Sequence, residues 1–223
     1  MKLSLSEEDL KNYIAKQVNN FFPDKFLITS FDVEKILSNA LKRTEYCFSN
    51  INLKYYGKEK EIYLNHLHSE QYCMFLWFLS NEAYLKNNIN LAEKLFYLNK
   101  TLNCLDAFYS IKLPDIFMLS HPVGTVLGNA SYKNYLLVYQ NVTIGASKEY
   151  IYPVLGEDVS LYAGSKIIGN CNISDNVTLS AGSCIINEDI PPNTFVFGQS
   201  RNLILKQKKD CIKNFTFKKD LTC

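Results

Sequence analysis

The strongest constraint on the fold is an aliphatic residue that recurs at every sixth position. The recurring residues are Leu155, Leu161, Ile167, Ile173, Leu179 and Ile185. A helix repeats near 3.6 residues and a half-buried strand repeats every two, so neither produces a period of six. The glycines and asparagines between the aliphatics tolerate the backbone angles of sharp corners. The period therefore predicts a parallel β-helix, in which three six-residue sides make one triangular coil.

The period is interrupted once, before this regular run. Ile144 and Leu155 are eleven residues apart, so about five residues within the stretch SKEYIYP are expected to leave the coil as a loop. Loops that leave a solenoid usually lie on its binding face. Before the interruption the register is less regular, and Tyr132 occupies a position where a small aliphatic residue is expected. Residues 121–204 are enough for four to five coils.

The first 104 residues have a different pattern, which is typical of helices. Polar residues that favour N-caps precede amphipathic segments. The candidate N-caps are Ser6, Ser30 and Asn90. Tyr72, Phe75 and Phe78 form an aromatic stripe that is expected to face the core, and the segment from Leu53 to Asn65 is interpreted as a charged loop. The predicted class is α+β, with an α-helical domain at 1–104, a β-helix domain at 105–206 and a basic tail at 207–223.

Composition limits the partners and the compartment. The net charge of +2 over 223 residues provides no electrostatic argument for nucleic-acid binding. The seven cysteines are an odd number without a CxxC pair, which favours reduced thiols in a cytoplasmic protein. The N-terminus is too polar for a signal peptide, and no apolar run approaches the length of a membrane span.

Four features of the chain carry a family resemblance. A helical segment precedes the repeats, and the stretches SHPVGTVLGN, NVTIG and DIPPNTFVFGQSRNLI follow in order. These features resemble the hexapeptide-repeat acyltransferases, and within them the serine O-acetyltransferases, over residues 65–206. The resemblance implies that the β-helix is left-handed, which the period alone does not determine.

His121 is the candidate catalytic base, because it is the only histidine in the β-helical half of the chain. Acyl transfer from a thioester to an alcohol needs a base, and histidine suits this role at neutral pH. The resemblance implies a partner aspartate fifteen residues earlier, and 121 − 15 = 106 is indeed Asp106. A catalytic pair of His121 and Asp106 is therefore expected, with a purely structural histidine as the alternative.

The resemblance also implies acetyl-CoA as co-substrate, bound in a groove between neighbouring β-helices. Such a groove belongs to two subunits, so a homotrimer is implied, and pairing of trimers through the helical domains stays open. The positions that match the small residues of the family are Gly145, Ala146, Ala163 and Ala181. The nearest cations for the phosphates of CoA are Lys166, Arg201 and Lys206.

The chain departs from the serine enzymes at the residues that hold the amino acid. Ser120 stands where the family has aspartate, and Ile151 and Tyr152 stand where it has arginine and histidine. Each lost charge-assisted hydrogen bond weakens binding by about 1.5–3 kcal/mol. We therefore expect an acceptor hydroxyl on a sugar, nucleotide sugar or surface polysaccharide, with Tyr152 stacking on the sugar and Ser120 as a neutral hydrogen-bond partner. His68 and Glu70 are further candidates for acceptor binding.

Other functions stay open. A serine O-acetyltransferase with an unusual pocket and an N-acetyltransferase on an amino sugar both use the same base. A γ-type carbonic anhydrase shares the left-handed β-helix, but it needs three histidine zinc ligands and this half of the chain has one, so no metal is expected. A non-catalytic hexapeptide scaffold is the last alternative.

Overall fold

The computed structural model describes residues 1–58, 61–148, 150–208 and 216–218. The first part of the chain contains four helices. They are α1 (Glu7–Phe21), α2 (Ser30–Ser49), α3 (Ser69–Leu85) and α4 (Ile89–Asn103). Three short strands, β1 (Lys2–Leu3), β2 (Gly57–Lys58) and β3 (Glu61–Leu64), form a sheet in the order β1-β3-β2. Of the described helices, none combines the length and the apolarity needed to cross a membrane.

Two of the three predicted N-caps lie one or two residues from the residue that caps the helix. Ser6 caps α1 as predicted and accepts a hydrogen bond from the Asp9 amide at 3.1 Å. Thr29 rather than Ser30 caps α2, because its hydroxyl and the Asp32 carboxylate form a reciprocal capping box. Asn88 rather than Asn90 caps α4. A cap must reach an amide two or three residues onward, and sequence composition locates that residue only approximately.

The segment interpreted as a charged loop is partly ordered, so that prediction is wrong. Lys54–Tyr56 form a 3₁₀ turn, and β2 and β3 pair as an antiparallel hairpin. The third strand of this sheet is β1, from the start of the chain, which pairs with β3 in parallel. A strand that is completed by such a distant partner has no local sequence signal beyond its apolar residues.

The α3 helix forms the centre of the helical domain and its contact with the solenoid. Its predicted aromatic stripe faces the core, and every residue from Gln71 to Ala83 is buried. The rings of Trp77 and Phe78 pack against Phe117 of the first solenoid coil, with centroid distances of 5.6 and 5.4 Å. The Cys47 thiol donates a hydrogen bond to the Phe117 carbonyl, and burial raises the pKa of this thiol to about 12, so it stays protonated. The helices and the solenoid therefore share one continuous core.

The second part of the chain is a parallel β-solenoid with three faces. Its strands are β4 (Asp106–Ala107), β5 (Phe117–Leu119), β6 (Val126–Leu127), β7 (Leu136–Val138), β8 (Thr143–Gly145), β9 (Val154–Leu155), β10 (Ser160–Leu161), β11 (Lys166–Ile168), β12 (Asn172–Ile173), β13 (Val177–Leu179), β14 (Cys184–Ile186), β15 (Thr194–Phe197) and β16 (Ile204–Gln207). One face has the strand order β16-β15-β13-β10-β7-β5, a second β14-β11-β8-β6-β4, and the third β12-β9. Among the described solenoid strands, only β16 runs antiparallel, and it pairs with β15 at the end of the stack.

The strand register confirms the predicted coil. Leu161 pairs with Leu179 and Ile167 with Ile185, which are separations of eighteen residues. Across the interruption Ile144 pairs with Ile167, a separation of 23, and 23 − 18 = 5 residues leave the coil as predicted. Ahead of the loop the separation varies, and Leu127 and Ile144 are only seventeen apart.

Most of the predicted basic tail, residues 209–215 and 219–223, lies outside the described residues. Phe217 is described, and it returns to the helical domain. Its backbone forms a bridge with Ile51, and its buried ring packs against Tyr135 at a centroid distance of 5.7 Å. Phe217 is therefore packed against the rest of the protein.

Candidate active site

His121 lies on one corner of the solenoid, where the chain passes from the six-stranded face to the five-stranded face. Backbone hydrogen bonds stack the corners of successive coils. The Asn141 amide donates to Val123, the Gly164 amide to Gln140 and the Gly182 amide to Ala163. We call the residues of this stack, 120–125, 139–142, 162–165 and 180–183, the His121 corner. It is a continuous edge with the candidate base in its first coil.

The side chain of His121 is exposed, and Glu70 holds it. The imidazole has 73% of its surface exposed, whereas the Glu70 carboxylate has 13%. Glu70 Oε1 lies 3.0 Å from His121 Nδ1 and accepts the His121 backbone amide at 2.9 Å. The backbone of His121 has φ of +49°, in the left-handed region that a residue with a side chain seldom adopts. A carboxylate from the helical domain therefore fixes both the ring and its backbone.

Asp106 makes no described contact with His121 in this structure, so the expected catalytic pair of these two residues stays a prediction. Lys100 Nζ, near the end of α4, donates to Asp106 Oδ2 at 2.6 Å. Among the described residues, no hydrogen bond or ion pair joins Asp106 to the imidazole. The described partner of this carboxylate is instead a lysine six residues earlier in the chain.

The predicted cofactor residues fall into separate places. Ala163 and Ala181 lie on the His121 corner, one coil apart, and Lys166 follows at the start of β11. Gly145 and Ala146 lie at the other edge of the five-stranded face, where β8 leads into the extruded loop. Small residues therefore lie at both edges of the five-stranded face.

The extruded loop forms a groove with the second of these edges. Ala146 contributes to it, and so do two apolar side chains on the outer face of the sheet. The groove is lined by Ala146, Ser147, Lys148, Ile151, Ile168, Asn170, Ile186 and Asn187.

The other two predicted phosphate ligands lie toward the end of the solenoid. The backbone amide of Arg201 donates to Glu188. Lys206 lies on β16, with its ammonium 5.4 Å from the centroid of Phe197. Among the described residues, no hydrogen bond or ion pair joins either of them to Lys166.

The predicted acceptor residues are also spread out. Ser120 is buried, and its amide donates to the Val138 carbonyl, so it supports the coil directly before His121. Tyr152 is half-buried against the solenoid, and a Cβ at Gly128 would lie 2.9 Å from its ring. The His68 residue directly precedes α3, and its Nδ1 is buried without a hydrogen-bond partner. Of the four predicted acceptor residues, only Glu70 makes a described polar contact with His121.

A stacked pair of tyrosines, which was not predicted from the sequence, lies on the His121 corner. The rings of Tyr139 and Tyr162 are nearly parallel, with centroids 5.0 Å apart. Burial, then Tyr162, then the negative charge of Glu70 raise the pKa of the Tyr139 hydroxyl. The separation of 23 residues, one coil plus the five-residue insertion, is the sequence signal that could have revealed the pair.

The described part of the chain contains no cluster of three or more histidine, cysteine or acidic side chains that could hold a metal ion.

Comparison with known proteins relates this site to one group of enzymes. A serine acetyltransferase of Synechococcus elongatus is 32% identical over 108 residues, which are 47% of this chain and 44% of that protein. A crystal structure of serine acetyltransferase from Neisseria gonorrhoeae superimposes with a TM-score of 0.70 at 20% identity, over 92% of this chain and 82% of that one. A serine acetyltransferase in complex with CoA superimposes with a TM-score of 0.66 at 16% identity, over 88% and 83%. No family model matches the chain.

The chain resembles the serine acetyltransferases in sequence and in fold. It spans about half the length of the curated relatives it matches, from 40% of the Escherichia coli protein to 66% of one from Staphylococcus epidermidis. The fold of the serine acetyltransferases, helices followed by a parallel β-solenoid, is the fold observed here. The substituted position Ser120 lies buried beneath the candidate base, and Ile151 lines the groove under the extruded loop.

Proposed function

We propose that the protein transfers the acetyl group of acetyl-CoA to the hydroxyl of L-serine, with His121 as the general base. The observation that carries this proposal is an exposed histidine held by a carboxylate on a solenoid corner, in a chain that resembles serine acetyltransferases. The histidine is free on its outer side to meet a substrate hydroxyl. A non-catalytic scaffold has no need of such an arrangement.

The chemistry balances with one base. Acetyl-CoA supplies an activated thioester carbonyl. His121 takes the proton from the serine hydroxyl while its oxygen attacks that carbonyl, and the C–S bond then breaks. The imidazolium returns the proton to the departing thiolate, so that O-acetylserine and CoA are the products and the base is restored.

Ser120 and Ile151 are neutral where the serine enzymes have charged residues, which favoured a carbohydrate acceptor. Two other charged residues lie near the candidate base. Lys100 and Asp106 form an exposed ion pair beside the first coil, and the Asp106 amide donates to Thr125 of the His121 corner. A cation next to an anion is complementary to the ammonium and carboxylate of a free amino acid. We therefore propose that this pair meets the charged ends of the amino acid, which would favour serine over a carbohydrate.

We propose the His121 corner as the place where acetyl-CoA lies. Ala163 and Ala181 let a pantetheine arm approach the backbone, and Lys166 offers a cation next to them. The likeness to an enzyme solved in complex with CoA supports this assignment. A groove along such a corner is completed by a neighbouring solenoid, so we propose a homotrimer.

The test is release of the CoA thiol with acetyl-CoA and a panel of acceptors. The panel contains L-serine, glucosamine, a nucleotide sugar and a capsular oligosaccharide, and mass spectrometry identifies the acetylated product. We expect kcat/KM for serine to exceed that for every other acceptor. Faster turnover of a sugar hydroxyl would restore the carbohydrate hypothesis, and preference for glucosamine with an amide product would favour the amine acceptor.

A further inference from the structure

We propose that Glu70 is the positioning residue for the catalytic base, in the role that sequence spacing assigned to Asp106. This inference deepens the proposed function and rests on it for the kinetic part of its test. The carboxylate comes from the helical domain, 51 residues before His121 in the chain. The base is therefore oriented across the boundary between the two domains.

The first argument is the chemistry of the shared oxygen. Glu70 Oε1 receives the His121 backbone amide at 2.9 Å and lies 3.0 Å from Nδ1. An ionised carboxylate can only accept hydrogen bonds, so the neutral imidazole must carry its proton on Nδ1. The lone pair is then on Nε2. The ring is held in the one tautomer whose free nitrogen is available to a substrate hydroxyl.

The second argument is the backbone of His121. A φ of +49° is unfavourable for a residue with a Cβ and persists only where the surroundings enforce it. The amide of His121 is the donor that Glu70 accepts, so one carboxylate holds the turn and the ring together. This arrangement fixes the direction in which the imidazole leaves the solenoid.

The third argument is electrostatic. Glu70 is the second residue of α3, where the helix dipole and the free amides stabilise a negative charge. Its side chain is mostly buried, which weakens screening of its interaction with an imidazolium. Its contacts with the His121 amide and ring bring this charge to the His121 corner. A fixed anion there stabilises the positive charge that the base acquires during the reaction.

The alternative is that Asp106 takes this role once substrate binds. Its carboxylate is paired with Lys100 at 2.6 Å and makes no described contact with the imidazole, whereas Glu70 Oε1 already lies 3.0 Å from Nδ1. The two carboxylates are therefore expected to act differently: Glu70 on the chemical step, and Asp106 on the binding of serine.

The kinetic test compares Glu70→Ala and Glu70→Gln with Asp106→Asn in the full chain. We expect Glu70→Ala to lower kcat about 10- to 100-fold, the usual weight of a charge-assisted hydrogen bond, with KM for serine and acetyl-CoA within about twofold. Glu70→Gln keeps an acceptor oxygen and should recover part of the loss. Asp106→Asn should mainly raise KM for serine.

Glu8→Ala is the matched control. Glu8 is the second residue of α1, just as Glu70 is of α3, and its ion pair with Lys11 has no part in the site. This variant removes the same charge from the same helical position and should leave kcat unchanged. The proposal is overturned if Glu70→Ala lowers kcat no more than Glu8→Ala does, or if Asp106→Asn carries the loss of kcat.

A second measurement does not depend on turnover. The chain has three histidines, so long-range ¹H–¹⁵N correlation spectra can resolve the His121 ring, assigned with a His121→Asn sample. We expect the proton on Nδ1 in the native protein and a mixture of both tautomers in Glu70→Ala. An unchanged tautomer would refute the positioning role. A protein that fails to acetylate serine but shows the expected tautomer change would refute only the proposed function.

Discussion

Replacement of His121 by asparagine is expected to abolish most of the acetyl transfer and leave the fold intact. Asparagine suits this position better than alanine, because His121 has φ of +49° and asparagine tolerates the left-handed region. The lost side chain is 73% exposed, so little buried surface disappears. Its backbone amide can still donate to Glu70. We therefore expect the free energy of unfolding to change by less than about 1 kcal/mol, or a Tm shift below about 4 °C.

The expected loss of activity is much larger than this change in stability. A positioned general base contributes about 10²- to 10⁴-fold to the rate, which corresponds to about 2.7–5.4 kcal/mol of the activation barrier. The imidazole is the one described group on the corner that combines exposure with a fixed partner carboxylate. Affinity for CoA should change little, because the alanines proposed to contact CoA lie in later coils.

The assay is steady-state thiol release at saturating acetyl-CoA and serine, with calorimetric titration of CoA and a thermal melt on the same samples. A fall in kcat of less than about tenfold with an unchanged Tm would show that His121 is not the base. Loss of activity together with loss of CoA binding or of the melting transition would show that the residue is structural. Measurable acetyl transfer in the native protein, lost in this variant, would exclude the scaffold alternative.

Two further predictions concern the solenoid. Gly156→Ala should lower the free energy of unfolding by about 1–3 kcal/mol, because its Cβ would lie 2.7 Å from the Asp175 amide nitrogen. The control Gly182→Asn should melt close to the native protein, because Gly182 has φ of +72° and no atom near its Cβ. Equal melting temperatures of the two variants would contradict this prediction. Light scattering should give the mass of three chains, because Val126 and Ile186 expose apolar side chains on the outer surface of the five-stranded face. Ile186→Glu should shift the measured mass toward one chain. A monomeric native protein would refute the trimer.

The solenoid could be predicted because its signal is local and repeated. Each aliphatic of the six-residue period faces inward, and residues such as Leu161, Ile167 and Ile173 are fully buried. The insertion of five residues was also visible, since it shifts the period by a fixed amount. Boundaries in the helical domain were less accurate, because Thr29 and Ser30 are both good capping residues and only the position of Asp32 decides between them.

The sequence by itself determined the coil of eighteen residues, the place of the extruded loop and the identity of the candidate base. It did not determine which carboxylate meets that base. Spacing along the solenoid pointed to Asp106, but Lys100 pairs with it, and Glu70 reaches His121 from another domain. This contact exists because Phe117 of the first coil packs against Trp77 and Phe78 of α3, and packing between distant segments leaves no period in the sequence. A repeat is visible residue by residue, whereas a contact over 51 positions is decided only when the chain has folded.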